Sequence, residues 1–101
     1  MPNLNTYHSL YSGRKEHVDS TRVQISTVSQ ELRMGLTVIA DSGNAGLIYV
    51  GNSGVLAGTA DDSCGFPLKA DAAITIPIDD VSKVYAVASA SESGTLYWTA
   101  L

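Results

Sequence analysis

Charged residues and cysteine are both scarce in this sequence. Of its 101 residues, 16% are charged and one, Cys64, is a cysteine, so no disulfide can form within the chain. Six Lys and Arg stand against ten Asp and Glu, which gives a net charge of −4. Because nucleic-acid binding depends mainly on Lys and Arg beside phosphates, this balance predicts no nucleic-acid partner.

Long apolar stretches are also missing. No segment approaches the roughly 20 apolar residues that a membrane-spanning helix needs, so we expect no membrane partner. The Asn- and Ser-rich start of the chain lacks the apolar region of a signal peptide, and we expect no leader. A chain of this length has room for one core and predicts a single folded domain.

Recognisable catalytic and metal-binding patterns are absent. His8 and His17 lie nine residues apart with no cysteine near them, and Asp61, Asp62 and Asp71 lack the spacing of a calcium loop. The Gly-rich passage 51–65 has no Lys after its glycines and no helix behind it, which excludes a phosphate-binding loop. No G-x-S-x-G motif occurs either. The sequence therefore predicts a protein that is not an enzyme and has no metal and no cofactor.

Short stretches of β-type residues are abundant. Alternating or continuous apolar residues are separated by turns rich in Gly, Ser, Asn and Asp, and no segment has helical periodicity. Two stretches are apolar on both faces, which is typical of strands in the middle of a sheet. The predicted strands cover residues 21–28, 36–40, 47–50, 72–78, 83–89 and 95–101, and the Val55-Leu56 pair either forms a brief edge strand or plugs the core.

The clearest of these signals lies in residues 72–89. Ile74, Ile76 and Ile78 fall two residues apart and predict a strand with one apolar face. Pro77 has no N–H to donate, which favours an edge position. The polar link Asp79-Asp80-Val81-Ser82 is typical of a turn, and a second alternating segment follows it. We predict a β-hairpin here.

Taken together, these strands predict an all-β fold. Short strands with turns at intervals of about ten residues are typical of a small antiparallel β-sandwich or jelly-roll-like barrel, here with six to eight strands. We assign residues 21–101 to this domain. Leu96, Trp98 and Ala100 should lie on one face of the last strand and Tyr97 on the other.

Residues 1–20 have no clear strand or helix pattern and predict an extended N-terminal arm. A solvated tail is usually poor in aromatic residues, yet this segment carries two tyrosines and two leucines. The arm therefore either packs on its own domain or docks on a partner. The candidate partner-binding residues are Leu4, Tyr7, Leu10, Tyr11, Arg14 and Lys15.

Three segments from residue 36 onward resemble a recurring class of small virion proteins of tailed bacteriophages. They are LTVIADSGNAGLIYVGNSGV, GFPLKADAAITIPIDDVSKVYAVAS and the C-terminal TLYWTAL. The resemblance covers about two thirds of the chain and depends on the order and spacing of these turns and strands. It implies a compact β-domain with a structural, non-enzymatic role in the virion, which is assembled in the host cytoplasm.

Among virion roles, a capsid decoration (cement) protein is the leading hypothesis. Such a protein would bind the outer surface of the phage shell, and its partners would be the major capsid protein and copies of itself, as a dimer or trimer. The alternative is a tail, baseplate or head-fibre component. A third hypothesis is a carbohydrate-binding adhesin module, for which the candidate stacking residues are Tyr49, Tyr85, Tyr97 and Trp98.

Overall fold

Eight β-strands and one short 3-10 helix lie within residues 11–58, 64–89 and 93–100, which the computed structural model describes. The strands are short because Gly, Pro, Asp and Ser interrupt the apolar stretches every few residues. In chain order they are β1 (Tyr11–Val18), β2 (Val23–Gln24), β3 (Leu36–Ala40), β4 (Ile48–Gly51), β5 (Phe66–Leu68), β6 (Ala73–Ile76), β7 (Tyr85–Ala88) and β8 (Gly94–Ala100), with the 3-10 helix Val81–Lys83 between β6 and β7.

The strands form two antiparallel sheets of four strands each, ordered β1-β8-β3-β6 and β2-β7-β4-β5. The pairing is nested: β1 pairs with β8, β2 with β7, β3 with β6 and β4 with β5. Nested pairing of eight strands in two sheets is the topology of a jelly roll. The predicted all-β antiparallel fold of six to eight strands is confirmed.

The core lies between the two sheets and consists of inward-facing side chains. In β3 the alternation places Leu36 and Val38 inward, and both are 0% exposed. Each such fully buried side chain contributes about 1.5–3 kcal/mol to stability. Ile76 and Trp98 are partly buried and pack against this core from the predicted side. The buried cluster comprises Val18, Ile25, Leu32, Leu36, Val38, Ala40, Ile48, Val50, Leu68, Val81, Val84, Ala86, Ala88, Leu96 and Ala100.

The predicted β-hairpin of residues 72–78 and 83–89 is wrong, although both segments contain strands. β6 pairs with β3 in one sheet, whereas β7 lies between β2 and β4 in the other. The link crosses between the sheets because Val81 is fully buried and Asp80 caps the 3-10 helix by accepting a backbone N–H. Pro77 follows β6, and β6 is an edge strand as predicted.

Residues 11–18, which the sequence analysis assigned to the N-terminal arm, form strand β1 and correct that prediction. β1 pairs with β8 in antiparallel register, with Tyr11 opposite Ala100. The domain boundary predicted after Ser20 therefore moves to a position before Tyr11. The rest of the predicted arm, residues 1–10, lies outside the described residues.

The apolar alternation that would reveal a strand is weak in β1 because its inward positions are occupied by Gly13 and Lys15. Gly13 lies opposite Trp98, and a Cβ on Gly13 would be 2.7 Å from the indole ring. Glycine thus leaves room for the indole to lie across β1. Lys15 is half-buried opposite Leu96, and a lysine stem in such a position covers apolar surface.

The strand predicted over residues 21–28 is shorter than expected. Only Val23 and Gln24 pair with β7. Ile25 is 3% exposed, and its N–H donates to the Val84 carbonyl at 3.1 Å. The predicted inward positions are confirmed, because Ile25 belongs to the core and Val23 packs against it. The chain leaves the sheet after these residues.

Candidate interface on the β1-β8-β3-β6 sheet

The outer face of the β2-β7-β4-β5 sheet is covered by the chain that follows β4. Tyr49 of β4 and Val87 of β7 are in register and face outward, yet they are only 5% and 3% exposed. Val55, which is 1% exposed, forms a second buried cluster with them, and Leu47, Ala57 and Tyr85 pack at its margin. We call this surface the covered face.

Two glycines leave the space that Val55 occupies. A Cβ on Gly65 would lie 2.5 Å from Val55 Cγ2 and 2.7 Å from the Val50 carbonyl oxygen. A Cβ on Gly51 would lie 2.9 Å from the same Cγ2. Leu56 is 39% exposed, so of the Val55-Leu56 pair only Val55 packs as a plug, and it does so outside the sheet rather than in the main core.

The outer face of the β1-β8-β3-β6 sheet has no comparable cover among the described residues. Ile39 of β3 and Tyr97 of β8 are in register and are 40% and 39% exposed. Arg14 of β1 and Ala73 of β6 flank them, so one row of side chains crosses all four strands, about 15 Å. We define the open face by its nine outward side chains: Ser12, Arg14, Glu16, Thr37, Ile39, Ala73, Thr75, Tyr97 and Thr99.

A second row on the open face consists of hydroxyl side chains. Ser12, Thr99, Thr37 and Thr75 are neighbours in register from β1 to β6. The Thr37 and Thr75 hydroxyls are 3.0 Å apart, and the Thr99 hydroxyl donates to the Tyr11 carbonyl at 3.3 Å. These bonds fix the side chains, and each hydroxyl oxygen keeps capacity to bond a partner.

The open face carries no net charge. Its two charged side chains, Arg14 and Glu16, form an ion pair at 2.6 Å, with 57% and 47% of each side chain exposed. A pair this exposed contributes only about 0–1 kcal/mol to stability, but it neutralises both groups. A centre with an aromatic residue and few charges is the composition that protein interfaces favour.

Asp80 forms a polar cluster at the crossover between the sheets. Its carboxylate accepts hydrogen bonds from the Ser29 hydroxyl, the Gln30 N–H, and the Ser82 N–H and hydroxyl. These bonds, led by the one from Ser29, hold the pKa of Asp80 well below its usual range. The cluster joins the β2–β3 connection to the 3-10 helix, so it is a structural tie between the sheets.

Three of the six predicted partner-binding residues lie in the described part of the chain. Arg14 reaches the open face, where it is bonded to Glu16. Tyr11 is half-buried and packs against the core, and Lys15 is half-buried on the inner side of β1. The structure therefore does not bring these three together on one surface. The other three, Leu4, Tyr7 and Leu10, lie outside the described residues.

Ile39 is not among the residues selected from the sequence, and Tyr97 is named there only as a candidate sugar-stacking residue, not as part of a protein interface. The period-two pattern placed Ile39 opposite to Leu36 and Val38, and Tyr97 opposite to Trp98, so their shared outward direction could have been read from the sequence. That pattern does not reveal whether another segment covers the face. Only the packing of residues around Val55 distinguishes the two sheets.

The described residues also bear on metal and membrane binding. In residues 11–58, 64–89 and 93–100 there is no group of three His, Cys, Asp or Glu side chains that could hold a metal ion. The same residues contain no helix long and apolar enough to cross a membrane. No protein-family model, curated protein or solved structure matches the chain.

Proposed function

We propose that this protein is a non-enzymatic structural protein of a bacteriophage virion, a capsid decoration protein that binds the outer surface of the shell. The observation that carries the proposal is the open face, a four-stranded surface of no net charge with Ile39 and Tyr97 exposed at its centre. Exposed apolar side chains grouped on one surface often mark an interaction site. The jelly-roll topology adds support by analogy, since viral capsid domains use it.

The size of the open face sets a condition on this role. Four strands spaced by about 4.8 Å, over about five residues each, give roughly 320 Å² in plan. A stable interface buries about 800 Å² per partner. One open face is too small to hold the protein on a shell by itself, even though protruding side chains make its accessible surface larger than this flat area.

Further contact must therefore come from elsewhere, and two sources fit the chain. Residues 1–10, with Leu4, Tyr7 and Leu10, precede β1 and would add apolar contact. Association into a dimer or trimer would present two or three open faces at once, which raises the overall affinity without new contacts. We propose both, with the major capsid protein and copies of this chain as the partners.

The benefit to the virion follows from mass action. A protein that binds the assembled shell but not its separated subunits stabilises the assembled state. Binding across the joints between capsomers would therefore raise the temperature at which the shell opens. This role needs no catalytic group.

Copy number in purified particles is the first test. Hundreds of copies, measured by quantitative mass spectrometry against the major capsid protein, are expected for a decoration protein. A few to dozens of copies would instead indicate the tail, baseplate or head-fibre alternative. Absence from purified particles would refute a virion role altogether.

Add-back to shells that lack the protein tests the open face. Purified protein should bind these shells and raise their melting temperature. Ile39→Asp and Tyr97→Asp, which place a charge at the centre of the face, should reduce binding strongly. Ala45→Asp, on the exposed β3–β4 connection, is the matched control and should bind normally. Equal binding by all three variants would exclude the open face as the shell contact.

A further inference from the structure

A cleft of about 410 Å³ opens beside the β1 edge of the sandwich. The start of β1 and the end of β8 form one wall, and residues 26–30, in the connection from β2 to β3, form the other. The volume lies within the range of about 300–1,000 Å³ that small-molecule sites occupy. The cleft is lined by Tyr11, Ser12, Ser26, Val28, Gln30 and Trp98.

Two aromatic side chains lie side by side in this cleft. Trp98 is opposite Gly13, and Tyr11 precedes Gly13 by two residues on the same face of β1. Tyr11 and Trp98 are thus diagonal cross-strand neighbours, with Cα atoms about 7–8 Å apart. Because Gly13 has no side chain, the indole lies across the β1 backbone. Both rings are partly exposed and backed by the core.

Two polar side chains complete the lining. The Ser26 hydroxyl and the Gln30 amide can each donate and accept hydrogen bonds. Ser12 borders the cleft, but its side chain belongs to the open face. The backbone of Gln30 is fixed, because its N–H donates to the Asp80 carboxylate at 3.1 Å and its carbonyl accepts the Val81 N–H at 3.3 Å. The Asp80 cluster therefore holds the backbone of Gln30 in place at the mouth of the cleft.

The lining restricts the chemistry of a ligand. None of its six lining residues is charged, so an anionic or cationic ligand would find no counter-charge. A wholly apolar ligand would strip water from Ser26 and Gln30 without replacing their hydrogen bonds, which is costly. A ligand with apolar C–H faces and several neutral hydroxyls satisfies both the aromatic and the polar part of the lining.

We propose that this cleft binds a neutral saccharide. Trp98 and Tyr11 would stack on the C–H face of a sugar ring, and Gln30 with Ser26 would bond its hydroxyls. The small volume favours a terminal sugar of a glycan over an enclosed long chain. This proposal does not depend on the proposed virion role, and the two are tested by different experiments.

Fluorescence of the full-length protein provides the first test, because Trp98 is the only tryptophan. The probes are glucose, galactose, mannose, N-acetylglucosamine and their disaccharides, followed by a glycan array. At least one neutral sugar should change Trp98 emission saturably. If no member of the panel changes it at tens of millimolar and the array is blank, the proposal is wrong.

Variants then connect binding to the cleft. Gln30→Ala should weaken binding about tenfold, which is the loss expected for one or two hydrogen bonds. Ser42→Ala, in the β3–β4 connection, is a polar control and should bind as the parent does. Trp98→Phe keeps an aromatic ring, and calorimetry in place of fluorescence should show weaker binding by a protein with a native circular dichroism spectrum. Unchanged affinity in both cleft variants would overturn the assignment.

The other candidate occupant is the chain's own N-terminal segment, since the cleft begins at Tyr11. Leu10→Ser in the full-length protein distinguishes the two. If it shifts Trp98 emission and no sugar does, the segment fills the cleft and the saccharide proposal is overturned. If a sugar binds the parent and the Leu10 variant equally, the cleft is free for the sugar.

Discussion

The two outer faces of the sandwich carry the same kind of residue pair in two different environments. On the covered face Tyr49 is in register with Val87, and on the open face Tyr97 is in register with Ile39. Each pair joins an aromatic to a β-branched residue on the two central strands of its sheet, an arrangement that stabilises sheets. The difference is that Val55 buries the first pair, whereas the second stays about 40% exposed.

The comparison shows that the connecting segments, rather than the strands, decide what each face does. The connection from β4 to β5 spans residues 52–65, and in its described part Val55 and Ala57 pack over their own sheet. The connection from β3 to β4, residues 41–47, is about half as long and is tied to β8 through Asn44, whose amide donates to the Thr95 carbonyl and accepts the Thr95 N–H. Among the described residues, the chain thus covers one outer face itself and leaves the other open.

The largest effect is expected when the two tyrosines are truncated in parallel. Tyr49→Ala should destabilise the protein by about 3–5 kcal/mol, because it empties a buried cluster. Tyr97→Ala should change the free energy of unfolding by only about 0.5 kcal/mol, because the side chain is exposed. Urea unfolding measures both. Equal losses of stability would mean that the open face is also covered.

The next effect concerns the space that the glycines leave for Val55. Gly65→Ala would place a Cβ within 2.5 Å of Val55 and 2.7 Å of the Val50 carbonyl oxygen. Such overpacking should cost about 1–3 kcal/mol. Gly54→Ala is the matched control in the same segment, since its Cβ would meet nothing nearer than 3.5 Å. A melting temperature that is lower for the Gly54 variant than for the Gly65 variant would refute this account of the covered face.

Acid should weaken the tie that holds the two faces in one domain. The folded-state pKa of Asp80 lies below its ordinary value of 3.8, so its carboxylate stabilises the fold above that pH and loses this effect as pH falls further. Asp80→Asn should lower the melting temperature at neutral pH. The difference from the parent should narrow below about pH 4, because the unfolded parent then takes up a proton at Asp80 that its folded state still resists.

Asp79→Asn is the natural control for this experiment. The Asp79 carboxylate bonds only Lys83 among the described residues, in a pair whose side chains are 58% and 71% exposed. Its pKa is lowered by that bond, but an exposed pair contributes little to stability. A larger drop in melting temperature for the Asp79 variant than for the Asp80 variant would show that the hydrogen bonds of Asp80 do not hold the crossover.

Much of the fold was predictable because period-two alternation depends only on local geometry. It located β3, β4, β6, β7 and β8 and gave the inward side of β6 and β8. It could not show which strands pair. The link after Pro77 has the composition of a turn, and only the burial of Val81 and the bonds of Asp80 reveal that it crosses between sheets.

The site was less predictable for a related reason. β1 was missed because Gly13 and Lys15 are inward positions that make sense only beside Trp98 and Leu96 of a strand more than 80 residues away. Likewise, the exposure of Tyr97 depends on whether another segment covers it, which no local pattern encodes. Both features arise from tertiary packing, which a single sequence does not display.

The N-terminal residues should give the smallest effect on stability and a large one on binding. Replacing Leu4, Tyr7 and Leu10 by Ser in the full-length protein should leave the melting temperature unchanged, because these residues precede β1. It should weaken binding to shells, because Leu4, Tyr7 and Leu10 would supply apolar contact area beyond the small area of the open face. The polar substitutions Asn3→Ser, Asn5→Ser and Thr6→Ser, made together, are the matched control.

A truncation makes the boundary of this segment testable. Removing residues 1–12 takes Tyr11 and Ser12 out of β1, where they pair with Ala100 and Thr99. That deletion should therefore lower the melting temperature, whereas the triple substitution should not. If the deletion leaves the melting temperature unchanged, the first two residues of β1, Tyr11 and Ser12, do not contribute to the stability of the fold. If the triple variant binds shells as tightly as the parent, residues 1–10 do not contribute to shell binding. In that case only an oligomer, which presents several open faces at once, would supply the remaining contact area.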